Sequence, residues 1–182
     1  MEKAIARQCA PALAGIKPAN IVSLDKNKYP DAENEIVKLN EAFNKIGVYF
    51  EIICRCENRI LVFVFRPKIL ESYLENEGIR SFLSSCGYNE DGALCEKLEK
   101  LKSKMKNAEF PHEIGAFLGY PVEDIYGFIN HKDKGLLFVG EWKVYSNPEK
   151  AKQSFKRYSS CRAALVRRVS DGKALAEIFK AA

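Results

Sequence analysis

The clearest pattern of hydrophobic and polar positions lies between residues 48 and 66. Residues 48–56 alternate between apolar and polar side chains, which is typical of a strand with one buried face. Residues 59–66 are apolar almost throughout, as in a strand covered on both faces, and Glu57 and Asn58 form a two-residue turn between these segments. The pattern predicts an antiparallel β-hairpin at the centre of a sheet. On this alternation one strand face carries Val48, Phe50, Ile52 and Cys54.

Apolar residues at helical spacing surround this hairpin. A short helix is predicted over residues 2–9, stopped by Pro11, and a strand over residues 20–24. Pro30 opens a helix that ends at Gly47, since proline suits the first helical position and glycine the position after the last turn. Asp171 is predicted to cap a last short helix. Further helices are predicted near residues 67–74, 79–87, 91–106 and 148–169, and short strands within residues 136–145.

Residues 111–130 predict a compact helical hairpin. Gly115, Gly119 and Ile125 stand at the spacing of a helix-turn-helix, the motif that many proteins use to bind DNA. The second helix, however, is expected to expose Glu123 and Asp124, and carboxylates are unfavourable beside phosphates. Duplex DNA is therefore not expected as a partner, and the hairpin is expected to pack on the sheet.

These elements predict an α+β fold. We expect a single domain over residues 1–182, with an antiparallel or mixed central sheet and helices packed against it, including the αα-hairpin at 111–130. The chain contains no strand followed by a G-x-G-x-x-G turn and no phosphate-binding P-loop sequence. A dinucleotide-binding fold is therefore not supported.

The last long helix has one apolar stripe, interrupted by an arginine. At 100° per residue the stripe contains Ala151, Phe155, Tyr158, Cys161, Leu165 and Val169. Arg162 points near its middle, which leaves three interpretations open. In the first, the aliphatic part of Arg162 packs along apolar surface and its guanidinium reaches water. In the second, Arg162 pairs with a carboxylate inside the domain. In the third, it binds an anionic ligand.

The composition describes a chain able to bury a large core without disulfides. Hydrophobic residues make up 47% of the 182 positions, and the net charge of +5 is a smaller excess than nucleic-acid-binding proteins usually carry. Neither a signal peptide nor an apolar run long enough to span a membrane is found in the sequence. We therefore expect a cytoplasmic protein without a membrane partner, whose six cysteines stay reduced.

The cysteines do not have the spacing of a metal site. The chain has no C-x-x-C pair, and Cys54-x-Cys56 lacks a second pair, so no structural zinc, iron–sulfur cluster or other cofactor is predicted. Cys54 is expected to pack in the core. Cys9 precedes Ala-Pro in a stretch that resembles a loop, where an exposed thiol is expected. Cys9 and His112 are therefore candidates for a nucleophile and its base, brought together by folding.

His112 and Glu113 begin the helical hairpin. The second histidine of an H-E-x-x-H zinc motif is absent, because position 116 is alanine. A helix start favours the neutral form of histidine, which suits His112 to act as a ligand, a hydrogen-bond acceptor or a general base, while Glu113 suits the positive end of the helix dipole. The alternative is that His112 only caps or packs.

A second group of candidates surrounds Trp142. In a strand, Trp142 points inward with Val144, while Lys143 and Tyr145 point to the opposite side. One interpretation is a wall that binds an anion through three cationic side chains and one phenol. These residues are Lys17, Arg66, Lys143 and Tyr145. The alternative is a set of unconnected surface cations.

Three segments carry a resemblance to a known family. They are Cys9-Ala-Pro-Ala-Leu-Ala-Gly-Ile-Lys17, the stretch 110–129 that contains Pro-His-Glu-Ile-Gly, and Gly140-Glu-Trp-Lys-Val-Tyr145. Together they resemble the bacterial domain of unknown function 3793, over nearly the whole chain. The resemblance implies one intact domain and supplies neither an activity nor a catalytic residue.

Three classes of function remain open from the sequence. The first is a binding or accessory protein for a small polar or anionic ligand, which should contain a pocket where the three segments meet. The second is an enzyme that uses Cys9 or His112. The third is a module that binds a protein or nucleic acid through the 111–130 hairpin.

Overall fold

A computed structural model describes residues 1–106, 110–131 and 134–180. The chain divides into two compact units, Met1–Ile69 with Ser160–Ala182 as the first and Leu70–Ser159 as the second. The expectation of a single domain stays a prediction. The α+β class is confirmed, because helices accompany antiparallel strands in the described residues.

The first unit contains α1, β1, α2, a 3₁₀ turn, β2, β3 and α9. Their bounds are Glu2–Leu13, Ala19–Asp25, Ala32–Phe43, Asn44–Ile46, Tyr49–Arg55, Arg59–Phe65 and Leu175–Lys180. The second unit contains α4, α5, α6, α7, β4 and β5. Their bounds are Glu77–Ser85, Leu94–Met105, Ile114–Phe117, Val122–His131, Phe138–Val139 and Lys143–Val144. Two helices continue from one unit into the other, α3 (Pro67–Leu74) and α8 (Pro148–Ser170).

The predicted hairpin of β2 and β3 is present in the first unit, but only β3 is a central strand, because β2 lies at an edge of the sheet in the described residues. Strand β3 pairs with β1 on one side and with β2 on the other, and both pairings are antiparallel. Val62 and Val64 of β3 are 1% and 0% exposed. The continuous apolar run of β3 thus reflects burial of both faces, as the sequence predicts.

A β-bulge at Ile53 changes the face of Cys54. Ile52 is paired with Val62, whereas Cys54 is paired with Leu61, so one extra residue of β2 lies between these two pairs. An extra residue reverses the alternation beyond it. The expectation that Cys54 shares a face with Phe50 and Ile52 is therefore wrong, and Ile53 is buried instead.

One face of this sheet is covered by helices. The core of the first unit combines side chains from the sheet with side chains from both ends of the chain, including Ile5, Leu13, Val22, Phe43, Leu165, Val169 and Leu175. Burial of one such side chain contributes about 1.5–3 kcal/mol. Residues after position 160 therefore complete a core that the first 69 residues begin.

Helix α1 continues through Pro11, contrary to the prediction that it stops before this residue. A proline removes one helical hydrogen bond and crowds the preceding turn. Here the backbone N–H of Ala12 donates to the side-chain Oδ1 of Asn20 at 3.1 Å. Because a partner outside the helix satisfies this donor, α1 extends to Leu13 and its last turns are buried.

The end of α1 is held by Gly15 and Arg66. Gly15 has a φ of +73°, and Ile16 and Gly15 donate to the carbonyls of Pro11 and Ala12, which is the Schellman pattern of a helix end. The guanidinium of Arg66 donates to the carbonyls of Ala12 and Leu13, at 3.3 and 2.6 Å. The segment 9–17 therefore builds a buried helix end.

The 111–130 hairpin is shorter in its first helix than predicted. Helix α6 begins at Ile114 and has four residues, and α7 follows after a turn at Gly119, whose φ is +75°. Gly115 lets the chain fold back closely, because an added Cβ would lie 3.1 Å from the Tyr120 ring.

Helix α5 begins at Leu94 instead of residue 91.

The apolar stripe of α8 is confirmed. Ala151, Tyr158, Leu165 and Val169 are each less than 9% exposed, and Arg162 is half-buried beside them.

Helix α9 begins at Leu175, so Asp171 does not cap it. The amide of Ala174, just before the helix, donates to the Glu177 carboxylate, and the amide of Leu175 donates to the Glu2 carboxylate.

Helices suited to crossing a bilayer are absent from the described part of the chain, where none is both long enough and apolar enough.

Candidate ligand-binding site

A cavity of about 320 Å³ lies within the second unit, beside α6, α7 and β5. This volume is near the lower end of small-molecule pockets. Its lining residues come from two of the three segments that carry the family resemblance. They are Phe110, Pro111, His112, Ile114, Gly115, Tyr120, Asp124, Ile125, Phe128, Trp142 and Lys143. We call this cavity the aromatic pocket.

Two neighbouring rings form part of the pocket wall. The ring centroids of Tyr120 and Trp142 are 5.1 Å apart, and the rings are tilted by 31° to each other. The Phe155 ring meets the Trp142 ring edge-on, with 4.5 Å between the centroids. Trp142 is only 8% exposed, and the Tyr120 hydroxyl donates to the Glu141 carbonyl at 3.2 Å. Burial raises the pKa of Tyr120 to about 12. These contacts hold Tyr120 and Trp142 in the wall of the aromatic pocket.

A buried carboxylate fixes the position of this wall. Asp124 Oδ2 accepts a hydrogen bond from Trp142 Nε1 at 2.7 Å. Its Oδ1 accepts three, from the backbone amides of Tyr145 and Ser146 and from the Ser146 hydroxyl, each at 2.8 Å. A carboxylate with four donors is satisfied without a ligand, so Asp124 is a structural anchor. The expectation that Asp124 is exposed is wrong, because it faces residues 142–146 and is 3% exposed.

Tyr145 packs closely against α7. Gly127 faces it on this helix, and an added Cβ there would lie 2.6 Å from the Tyr145 Cβ. Because glycine has no side chain, the Cβ of Tyr145 can occupy the space beside Gly127. Tyr145 is half-buried and is absent from the residues lining the aromatic pocket.

His112 and Lys143 meet at the ring of Phe128. The His112 ring stands edge-on to the Phe128 ring, with 5.3 Å between centroids, and the Lys143 ammonium lies 5.4 Å from the Phe128 centroid. His112 is exposed and Lys143 is half-buried. Both line the aromatic pocket, so two of the predicted ligand-binding residues are brought to one site.

Glu113 has a different environment. It is 6% exposed, forms an ion pair with the Lys104 ammonium, and accepts a hydrogen bond from the Tyr88 hydroxyl at 3.5 Å. Burial, together with the Glu113 charge, raises the pKa of Tyr88 above its ordinary range. These contacts make Glu113 part of the packing between residue 88, α5 and α6.

The remaining predicted residues lie in the first unit. Cys9 is fully buried, contrary to the expectation of an exposed thiol, because α1 continues past it. Burial raises the pKa of its thiol, against a smaller opposing effect of the Lys17 charge. Lys17 is itself 2% exposed. The Arg66 guanidinium donates hydrogen bonds to carbonyls at the end of α1. Arg162 is half-buried on α8.

A larger cavity of about 990 Å³ lies near the first turns of α4, α7 and α8. Its charged lining residues are Glu77, Glu123 and Lys150. Two carboxylates beside one ammonium disfavour an anion. The sequence analysis did not identify this cavity, although the helix starts that border it were predicted at Pro148 and near residue 79.

Clusters of three or more metal-ligating side chains are absent from the described ranges 1–106, 110–131 and 134–180. The absence of a metal cofactor stays a prediction.

The aromatic lining of the pocket was not predicted from the sequence. Its signal was the recurrence of apolar residues in the hairpin and just before it, at Phe110, Ile114, Ile125 and Phe128.

Comparison with known proteins gives one result. No curated protein and no solved structure matches the chain. Residues 5–179 match the family described as "Protein of unknown function (DUF3793)". Since the match covers nearly the whole chain, including both segments that line the aromatic pocket, the chain belongs to the DUF3793 family.

Proposed function

We propose that this chain binds a small, flat, largely apolar molecule with one anionic group in the aromatic pocket. The observation that carries the proposal is the combination of an apolar cavity with two nitrogen-bearing side chains, His112 and Lys143, at the Phe128 ring. Pockets for small molecules characteristically pair apolar walls with a few polar groups that fix orientation.

The wall supports a flat ligand. A planar ring laid against Trp142 or Tyr120 gains about 0.5–1.5 kcal/mol from ring contact, beyond the burial of its area. Because Asp124 accepts a hydrogen bond from Trp142 Nε1, the position of this ring is fixed before a ligand arrives, and a preformed wall reduces the ordering cost of binding.

The charge at the rim supports an anion. Lys143 carries a positive charge beside the pocket, and a hydrogen bond to a charged group contributes about 1.5–3 kcal/mol. The Asp124 carboxylate already accepts four hydrogen bonds. The side chains that we propose to orient a ligand are His112 and Lys143, which both line the pocket.

The environment of Cys9 favours binding over catalysis by this thiol. A nucleophilic cysteine needs a thiolate, which burial disfavours. Cys9 is fully buried and the pKa of its thiol is raised. The role that we propose for His112 is that of a pocket wall residue, supported by its ring contact with Phe128.

A matched pair of probes tests the proposal by isothermal titration. The probes are 2-naphthoate and its neutral analogue 2-naphthamide, and the variant is Lys143→Met. We expect naphthoate to bind more tightly than naphthamide, and the variant to weaken naphthoate alone by about 5–30-fold, equivalent to about 1–2 kcal/mol. Lys152→Met is the control, because the Lys152 ammonium also lies near a phenylalanine ring, Phe138, outside the aromatic pocket.

A second pair of variants tests the apolar wall. Phe128→Ala should weaken both probes, whereas Tyr126→Ala, which removes a ring of similar exposure from the same helix outside the pocket, should weaken neither. The proposal is refuted if naphthoate shows no saturable binding up to about 1 mM. Equal losses from the two alanine variants would also refute it.

A further inference from the structure

Two thiols lie side by side at the end of β2. The sulfurs of Cys54 and Cys56 are 3.2 Å apart. The bulge at Ile53 sets the face of Cys54, and the Cys56 amide donates to the Arg59 carbonyl at 2.9 Å, which fixes the start of the hairpin turn. The contact between the sulfurs therefore results from the backbone path of the hairpin.

We propose that Cys54 and Cys56 form a redox-active dithiol that reduces low-molecular-weight disulfides and becomes an intramolecular disulfide. Two observations support the pair as a site. The sulfurs are already in contact, and Cys56 is exposed while Cys54 is half-buried beside it. One thiol is thus open to a substrate, and the other is placed to react with the intermediate.

The reaction proceeds by two exchanges. The Cys56 thiolate attacks one sulfur of the disulfide R–S–S–R, a Cys56–S–S–R bond forms, and the first R–S⁻ leaves. The Cys54 thiolate then attacks Cys56 Sγ, the Cys54–Cys56 bond forms, and the second R–S⁻ leaves. Two electrons pass from the cysteines to the disulfide, and the two thiol protons end on the two released R–SH molecules.

The environments of the sulfurs support this order. Burial and the contact with Cys56 raise the pKa of Cys54, so the exposed Cys56 is the better first nucleophile. Once Cys56 carries R–S, its sulfur is the adjacent target for Cys54, and proximity replaces a second bimolecular collision.

The product disulfide is easy to reduce again. Two positions along a strand are separated by about 6.6 Å, near the upper limit of Cα separations in disulfides. The product disulfide is exposed at Cys56, and exposed disulfides belong to the labile, exchanging class. Oxidation of Cys54 and Cys56 is therefore reversible.

Glutathione disulfide and mass spectrometry test the proposal on the full chain. The parent protein should form a disulfide between Cys54 and Cys56 without accumulating a glutathione adduct at either. Trypsin cleaves after Arg55, so this disulfide holds together two peptides that a reductant separates. In Cys54→Ser the reaction should stop at a stable glutathione adduct on Cys56.

Cys95 supplies the control, because it is an exposed cysteine outside this pair. Cys95→Ser should leave disulfide formation at the pair unchanged. In redox buffers of reduced and oxidised glutathione, reduction of the pair should depend on the square of the glutathione concentration. A parent protein that instead accumulates glutathione on Cys56, or keeps both thiols free while Cys95 reacts, overturns the proposal.

Discussion

The carboxylate that anchors the aromatic pocket predicts a sharp effect of a single-atom change. Asp124→Asn keeps the size of the side chain but replaces one acceptor oxygen by an NH₂ group. The orientation that preserves most contacts keeps the amide oxygen toward Tyr145 and Ser146. The NH₂ group then faces Trp142 Nε1–H, so two donors meet and one hydrogen bond is lost.

The magnitude follows from these four bonds. A hydrogen bond to a charged group contributes about 1.5–3 kcal/mol, and the three remaining bonds become neutral and weaker. We expect Asp124→Asn to lower the free energy of unfolding by about 3 kcal/mol. Ser146→Ala, which removes one hydroxyl donor from Asp124 Oδ1, should lower it by about 1 kcal/mol.

Urea denaturation followed by circular dichroism at 222 nm measures both values without relying on Trp142 fluorescence. Glu123→Gln is the control, because it makes the same chemical change at the neighbouring exposed position and should alter stability by less than about 0.5 kcal/mol. The reasoning is refuted if Asp124→Asn is as stable as this control. It is also refuted if Asp124→Asn is more stable than Ser146→Ala.

Four further predictions concern single residues. Gly127→Ala should destabilise the protein by about 1–3 kcal/mol in urea denaturation, because the new methyl group overlaps Tyr145; unchanged stability would contradict the packing described. Val64→Asp should abolish soluble folded protein in size-exclusion chromatography, because the position is fully buried in the central strand. Tyr120 has a raised pKa of about 12, so its contribution to stability is complete below about pH 10 and is lost as the pH rises through 12. Tyr120→Phe should therefore lose less stability than the parent between pH 9 and pH 11.5, and equal losses would disprove this assignment. Cys9 should react with a thiol reagent only on unfolding, since it is buried and its pKa is raised; rapid labelling of Cys9 in the native protein would contradict its placement.

Patterns contained within one segment predicted the structure well. The hairpin of β2 and β3 was predicted because alternation and a continuous apolar run are local signals. The phase of α8 was predicted for the same reason. The bulge at Ile53 was missed, since one inserted residue in an apolar strand leaves no mark in the sequence.

Features that depend on distant partners were predicted poorly. Helix α1 passes Pro11 because Asn20 accepts the amide hydrogen bond of Ala12, and the helical pattern alone does not identify this partner. Asp124 is buried because its donors come from residues 142–146. His112 and Lys143 were predicted as ligand-binding candidates, but the aromatic pocket that joins them depends on tertiary packing.

The discontinuity of the first unit has a consequence for synthesis on the ribosome. Its sheet is complete once residue 65 has emerged, yet Leu165, Val169 and Leu175 of the same core are still to be translated. Residues 70–159, which form the other unit, emerge in the meantime. The part of this core that Leu165, Val169 and Leu175 complete is thus open for about ninety codons, roughly 5–20 s at ordinary elongation rates. This interval is when the chain is most exposed to aggregation and most dependent on chaperones, and a nascent chain stalled before residue 160 would remain in that state.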